Sequence, residues 1–155
     1  MYGGGVFGDK YGIKFNSHPY NRLGNACGQI IGGNLAIIQS LMGTPYEIDT
    51  KGKILFLEDV DEYLYNIDRM MWTLKLAGKL NDLSGLIIGG MTDMNDNEKS
   101  FGMEAYESIL EKVKEHSYPV CFNFPAGHIN DNRAIPFGLN LDLKVDENGV
   151  ELHLK

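Results

Sequence analysis

The sequence is short of cysteine, of clustered basic residues and of long hydrophobic stretches. Its two cysteines, Cys27 and Cys121, are too few for a disulfide framework and favour a reducing compartment. A net charge of -7 without a basic cluster argues against nucleic acid as a partner. No apolar stretch approaches the roughly 20 residues that cross a membrane, and the first residues lack the basic region and apolar core of a signal peptide. We therefore expect a cytoplasmic protein that binds neither nucleic acid nor membrane.

What the sequence does contain is typical of a globular domain. Apolar residues make up 43% of the 155 residues and charged residues 23%, and 19 glycines indicate many tight turns. Residues 1–26 show little periodicity, so we expect an irregular linker or docking segment there. A single domain is expected over residues 27–155.

The clearest pattern is a strand followed by a helix. The four apolar residues 54–57 predict a short buried strand, and Glu58 and Asp59 follow where that strand must end, at the rim of a sheet. Helical spacing of apolar residues predicts a helix from Asp61 to Ala77, with Asp61 as N-cap and Gly78 as the C-terminal glycine.

The other segments predict more strands and helices around this unit. Further buried strands are expected, as is a C-terminal hairpin with an Asn-Gly turn. The predicted elements are a strand at 28–31, a helix at 35–42 after the N-cap Asn34, a strand at 85–90, a helix at 98–116, a strand at 119–122, and the hairpin at 139–154. The expected fold is α/β, with a short, mostly parallel sheet, flanking helices and a C-terminal antiparallel hairpin.

Parallel strands bring distant polar residues to one edge of the sheet. Because strands joined through helices run parallel, their carboxyl ends share an edge, and Glu58, Thr92, Asp93 and His128 are expected along it. A Glu that accepts the Nδ1 proton of a His leaves Nε2 free to take a proton from a nucleophile. The alternative is a rim carboxylate and an unrelated loop histidine.

A nucleophile is missing from this pattern. No serine lies in a Gly-x-Ser-x-Gly elbow, Cys27 lacks a recognisable setting, and Cys121 is expected in the core. Gly33 and Asn34 could contact a substrate or an anion, or could simply form a tight turn and a helix cap. Arg69 could bind a substrate carboxylate, or pair with a neighbouring acid such as Asp68 or Glu62.

The sequence predicts no metal site and no cofactor. Asp93, Asn95, Asn97 and Glu104 match part of a calcium loop, but Glu98 stands where that loop needs glycine. The remaining histidines have no metal-binding spacing and are expected at the surface; they are His18, His116 and His153.

Several short motifs follow one another along the chain. They are Gly32-Gly33-Asn34-Leu35, Leu41-Met42-Gly43-Thr44-Pro45-Tyr46, Gly52 to Val60, Ile67-Asp68-Arg69-Met70, Leu76-Ala77-Gly78, Gly89-Gly90-Met91-Thr92-Asp93 and Phe124-Pro125-Ala126-Gly127-His128. In this order they resemble the C-terminal half of the LD-carboxypeptidase family of serine peptidases, which includes the microcin C immunity proteins. The resemblance covers about residues 20 to 145.

The resemblance implies a swivelling β/α domain that carries two members of a Ser-Glu-His triad. Glu58 and His128 fall on the Glu and His positions, while the serine belongs to an N-terminal domain absent from this chain, so the chain alone should be inactive. Members remove the terminal D-alanine from murein tetrapeptides during cell-wall recycling, need no metal and are often dimeric. Two alternatives stay open: a non-catalytic module that binds peptidoglycan peptides, and an immunity-type hydrolase of a peptidyl-adenylate.

Overall fold

The computed structural model describes residues 11–155, which form one seven-stranded sheet and three helices. The strands are β1 (Gly12–Phe15), β2 (Gly24–Asn34), β3 (Ile54–Val60), β4 (Gly85–Thr92), β5 (Val120–Cys121), β6 (Asn140–Asp146) and β7 (Gly149–Leu154). The helices are α1 (Leu35–Ser40), α2 (Leu64–Leu76) and α3 (Ala105–Lys112). The strand order is β1-β7-β6-β2-β3-β4-β5.

The long strand β2 joins two halves of different character. Its first part, residues 24–29, pairs antiparallel with β6, and its last part, residues 30–34, pairs parallel with β3. Strands β3, β4 and β5 continue the parallel half, whereas β1, β7 and β6 form the antiparallel half. The mixed sheet and the C-terminal hairpin are therefore as predicted.

Apolar side chains cover both faces of the parallel strands. On one face, α2 buries Ile67, Met71 and Leu74 against α3 and the sheet. The other face buries Phe56 and Phe124 with the inner residues of the hairpin. None of the helices formed by residues 11–155 is long and apolar enough to cross a membrane.

The prediction of an irregular segment over residues 1–26 is wrong for two stretches that pair with the C-terminal hairpin. Residues 12–15 form β1 beside β7, and residues 24–26 belong to β2 beside β6. The register of β1 places Phe15 opposite Val150, far along the chain, so local periodicity carries little sign of this strand. The first ten residues of the predicted segment lie outside the described residues.

Two helices begin later in the chain than the sequence pattern predicted. Helix α2 begins at Leu64, and Asp61 is not its cap: it adopts a φ of 57° and accepts a hydrogen bond from Asn95 Nδ2 (2.9 Å). Helix α3 begins at Ala105 rather than near residue 98, behind the capping box of Glu104 and Glu107. Asp96 instead accepts bonds from residues 97, 100 and 101, which keeps the preceding segment out of the helix.

Candidate active site

Glu58 and His128 meet at the carboxyl end of the parallel strands. His128 Nδ1 lies 2.7 Å from Glu58 Oε2, and the backbone N–H of His128 donates to the same oxygen at 3.2 Å. The Glu58 side chain is 7% exposed and that of His128 is 57% exposed. A buried carboxylate therefore holds an imidazole that solvent and ligands can reach.

Glu58 lies inside β3 rather than beyond its end, and it is buried rather than at an open rim as the sequence had suggested. The neighbouring strand β4 is irregular at this level: Leu57 pairs with Ile88 and Asp59 with Met91, so Gly89 and Gly90 together oppose Glu58. Such a bulge interrupts regular pairing and redirects the chain, and bulges are common beside active sites.

The bulge of β4 receives the loop that carries His128. Gly90 N donates to the carbonyl of Ala126 at 3.1 Å. A Cβ on Gly89 would lie 2.5 Å from that carbonyl oxygen, and one on Gly90 would lie 2.4 Å from Ile129 Cγ2. Only glycine leaves room at these two positions for the loop to approach the strand so closely.

Gly127 allows the last step of the approach. Its φ is 107°, which favours glycine, and a Cβ there would lie 2.8 Å from Glu58 Oε2. Its N–H donates to Asn132 Oδ1 at 3.2 Å. The backbone before His128 thus packs directly on the Glu58 side chain, which brings the His128 N–H and ring to one carboxylate oxygen.

The pair also sets the electrostatics of the imidazole. Its hydrogen bond to Glu58 is the main cause that raises the pKa of His128 above its ordinary value, and the charges of Glu58 and Asp59 act in the same direction. Because Nδ1 faces Glu58, the neutral ring carries its proton on Nδ1 and offers Nε2 as a base. Within residues 11–155, Nε2 has no hydrogen-bond partner.

A cleft of about 730 Å³ opens beside this pair. Thr92 and Asp93 line it together with Gly127, His128 and Asn132, so the structure brings these predicted site residues together. No serine or cysteine is among the described residues that line it. Cys27 is exposed on β2, whereas Cys121 is fully buried in β5, where burial raises the pKa of its thiol.

Gly33 and Asn34 end the strand next to β3, with Asn34 opposite Glu58. The Asn34 side chain caps α1 by accepting from Ile37 N (3.1 Å), as predicted. Its Nδ2 donates to Asp59 at 2.9 Å. Asn34 therefore links the end of β3, beside the Glu58–His128 pair, to the start of α1. A direct substrate contact by Gly33 or Asn34 stays a prediction.

Arg69 is not brought to the cleft. It lies on the exposed face of α2, bonded to Asn66 and 5.3 Å from the ring of Tyr65. The predicted pairing with Asp68 or Glu62 is wrong, because Asp68 binds Lys112 and Ser108 while Glu62 accepts from Asn66. A substrate role for Arg69 stays a prediction.

Among residues 11–155, no three His, Cys, Asp or Glu side chains are arranged to hold a metal ion. The prediction of surface histidines is wrong for His18 and His116, which are both half-buried. The ring centroid of His18 lies 5.3 Å from that of Tyr20 and 5.4 Å from that of Tyr106. His116 stacks on Tyr118, and its buried Nε2 has no hydrogen-bond partner among residues 11–155.

Three contributors to the site had no clear signal in the sequence. Asp59 follows Glu58 directly, yet its bonds to the start of α1 depend on the sheet register. Asn132 supports Gly127 from within an irregular loop. Gly90 belongs to a recognisable Gly-Gly pair, which could have indicated a bulge but not its partner Ala126.

The fold and this geometry define a mixed α/β domain that presents a buried Glu–His pair at the edge of its sheet. The chain belongs to the family described as LD-carboxypeptidase C-terminal domain, whose profile matches residues 27–143. The predicted family is therefore confirmed.

Similar proteins carry carboxypeptidase names. The chain is 35% identical over 124 residues to the "Probable murein peptide carboxypeptidase" of Bacillus subtilis, covering 80% of this chain and 39% of that protein. It is 32% identical over 116 residues to the "Murein tetrapeptide carboxypeptidase" of Pseudomonas aeruginosa, covering 72% of this chain and 36% of that protein. The chain thus spans well under half the length of these relatives.

Solved structures show the same architecture. The crystal structure of muramoyltetrapeptide carboxypeptidase from Oxalobacter formigenes superposes with a TM-score of 0.84 at 27% identity, covering 94% of this chain and 50% of that one. The microcin C7 self-immunity protein MccF superposes with a TM-score of 0.73 at 23% identity, over 93% of this chain and 41% of that one, and shows the fold alone.

Proposed function

We propose that this chain supplies the Glu and His of a Ser-Glu-His triad in a peptidase that removes the terminal D-alanine from murein tetrapeptides. The observation that carries the proposal is the 2.7 Å contact between His128 Nδ1 and the buried Glu58 carboxylate. It fixes the tautomer and orientation of the ring and leaves Nε2 as the free base.

The chemistry that follows is acyl transfer to a serine and then to water. His128 Nε2 takes the proton of the serine hydroxyl as the oxygen attacks the scissile carbonyl, and Glu58 stabilises the imidazolium that forms. When the tetrahedral intermediate collapses, the C–N bond breaks and His128 gives its proton to the amino group of the departing D-alanine. The same imidazole then takes a proton from the attacking water and returns it to the serine oxygen as the ester bond of the acyl-enzyme breaks.

The serine in this proposal comes from outside the 155 residues, on an N-terminal domain of the same protein. Two observations support this: the described lining of the cleft contains no serine, and the relatives are much longer than this chain. The chain alone should then be inactive. We also propose that the full-length protein is cytoplasmic and forms a homodimer.

The substrate assignment rests on the relatives. The proteins from Bacillus subtilis and Pseudomonas aeruginosa are named for murein peptides, and their identities of 35% and 32% exceed the 26% shared with the Escherichia coli "Microcin C7 self-immunity protein MccF". In this proposal the peptide contacts Thr92 and Asp93, which line the cleft beside His128, and Gly33 and Asn34 at the end of the adjacent β2.

Release of D-alanine from murein tetrapeptide by the full-length protein tests the proposal. Replacing His128 with Ala should lower kcat by about 10³-fold or more, since both the base and the acid of the reaction are lost. The matched control is His153→Ala, which removes another imidazole, paired with Glu151 on β7. It should leave kcat within about twofold. Turnover by His128→Ala close to that of the wild type would contradict the assignment.

Two other outcomes would point to different functions. Hydrolysis of a peptidyl-adenylate without hydrolysis of murein tetrapeptide would favour the immunity-type activity, for which the 26% sequence identity to MccF is the supporting observation. Binding of the tetrapeptide by the full-length protein without any product would favour a non-catalytic peptide-binding module.

A further inference from the structure

Two adjacent carboxylates are buried at the end of β3, and the proposed mechanism uses only one. Counted over the whole residue, Glu58 is 5% exposed and Asp59 is 2% exposed. Burying a carboxylate is costly unless it is hydrogen-bonded or paired. Consecutive strand residues point to opposite faces of the sheet, so Asp59 cannot share the contacts of Glu58 and has its own set of partners.

The partners of Asp59 lie on β2 and α1. Its Oδ1 accepts from Asn34 Nδ2 (2.9 Å) and from the N–H of Val60 (2.9 Å), and its Oδ2 accepts from Ala36 N (3.0 Å). Asn34 Oδ1 in turn accepts from Ile37 N at 3.1 Å. Asp59 and Asn34 therefore connect the ends of two adjacent strands to the first turn of α1.

These hydrogen bonds lie at the level of the sheet where the pairing of β3 with β4 is interrupted. On the β4 side, regular pairing stops at Leu57 and resumes at Asp59, because Gly89 and Gly90 bulge opposite Glu58. On the β2 side, Asn34 is the register partner of Glu58. The backbone direction at Glu58 thus depends on its β2 side and on the residue that follows it.

We infer that Asp59 is a positioning residue, which holds the backbone of Glu58 so that its carboxylate meets His128 Nδ1. It acts through its hydrogen bonds to Asn34 and the start of α1 and touches neither the substrate nor the reacting atoms. This inference rests on the role proposed above for the Glu58–His128 pair. The negative charge of Asp59 is also among those that raise the pKa of His128.

The hydrogen-bond pattern permits an exchange experiment. Asp59→Asn places an amide against the Asn34 amide and the N–H of Ala36, so at least one bond is lost. The double variant Asn34→Asp with Asp59→Asn exchanges donor and acceptor in the hydrogen bond between these two side chains. The carboxylate at position 34 then accepts from the new amide and from Ile37 N, and the new carbonyl accepts from Ala36 N. The bonds to β2 and α1 are thus recovered, and only the bond from the adjacent Val60 N–H is lost. The control is Asp61→Asn, which removes a charge two residues away and retains an acceptor for Asn95.

The first readout is the ring-nitrogen NMR spectrum of His128 in the 155-residue chain, which requires no turnover. In the wild type, the neutral ring should carry its proton on Nδ1. Asp59→Asn should move the population toward the Nε2-protonated form, whereas the exchange variant and Asp61→Asn should retain the wild-type tautomer. An Asp59→Asn spectrum identical to the wild type would overturn the inference, as would failure of a folded exchange variant to recover the tautomer.

Turnover by the full-length protein is the second readout. Misplacing a catalytic group by about 1 Å can lower the rate about 10²-fold. Asp59→Asn should therefore lower kcat about 10-fold to 100-fold with little change in KM, whereas Asp61→Asn should leave both close to their wild-type values. If the wild type itself released no D-alanine, the proposed function would fail, while the tautomer measurement would still decide the role of Asp59.

Discussion

The hydrogen bond between Glu58 and His128 has opposite effects on the amount and the strength of the base. By stabilising the imidazolium, the carboxylate raises the pKa of His128, so less of the ring is neutral near pH 7. The same interaction orients the neutral ring and makes Nε2 more basic. Activity that needs neutral His128 should therefore begin at a higher pH than for an ordinary histidine, whose pKa is about 6.5.

Replacing Glu58 with Gln should lower the pKa of His128 toward its ordinary value, because the strongest stabilisation of the charged ring is lost. The pKa is raised on folding, so the stability this pair contributes is present below the ordinary pKa of histidine and lost as pH rises through the folded pKa. An NMR titration of the His128 ring measures the shift. Asp93→Asn is the control: Asp93 lines the same cleft but is not among the charges that raise this pKa. An unchanged pKa in Glu58→Gln would refute the electrostatic account.

At the scale of elements, the site depends on a loop that packs into a bulged strand. Gly89 packs against the carbonyl of Ala126, and Gly90 donates its N–H to that carbonyl and packs against Ile129. Gly127 packs on Glu58. Because none of these three residues has a Cβ, the loop that carries His128 can pack closely against β3 and β4.

Gly127→Ala should separate the pair. Its Cβ would lie 2.8 Å from Glu58 Oε2, so the loop or the carboxylate must move, and kcat of the full-length protein should fall about 10²-fold. Gly102→Ala is the matched control, because Gly102 also has a positive φ (81°) but no atom within 4 Å of an added Cβ. Both variants should lose about 1–2 kcal/mol of stability from backbone strain. Equal activity of the two would show that the close approach at Gly127 is unimportant.

These elements also show what local sequence could and could not predict. The apolar run of β3, the Gly32–Asn34 turn into α1 and the alternation of the hairpin are local patterns, and the parallel-strand rule then placed Glu58 and His128 at one edge. Strand β1 depends on pairing with β7, and the Asp59 contacts depend on the register of β2 against β3. Such long-range pairings have no period in a single sequence, and the resemblance to a family was needed to assign the triad roles.

The whole molecule supports the site through two apolar layers, one on each face of the parallel strands. Helix α2 belongs to the first layer, and Lys112 of α3 lies over the ring of Trp72 at 5.3 Å while it binds Asp68. Met70 and Met71 of α2 are buried, whereas Trp72 is 43% exposed beside these charges. The site therefore rests on strands whose positions are set by packing on both sides.

Substitution of two leucines of α2 distinguishes the effect of core packing on stability from the effect of helix propensity. Leu74 is fully buried and Leu76 is 81% exposed on the same helix. Leu74→Ala should lower the free energy of unfolding by about 2–5 kcal/mol, because it removes buried methyl groups and leaves a cavity against the sheet. Leu76→Ala should change it by no more than about 0.5 kcal/mol. Denaturant unfolding of the 155-residue chain measures both, and similar losses for the two variants would show that the layer between α2 and the sheet does not stabilise the fold as described.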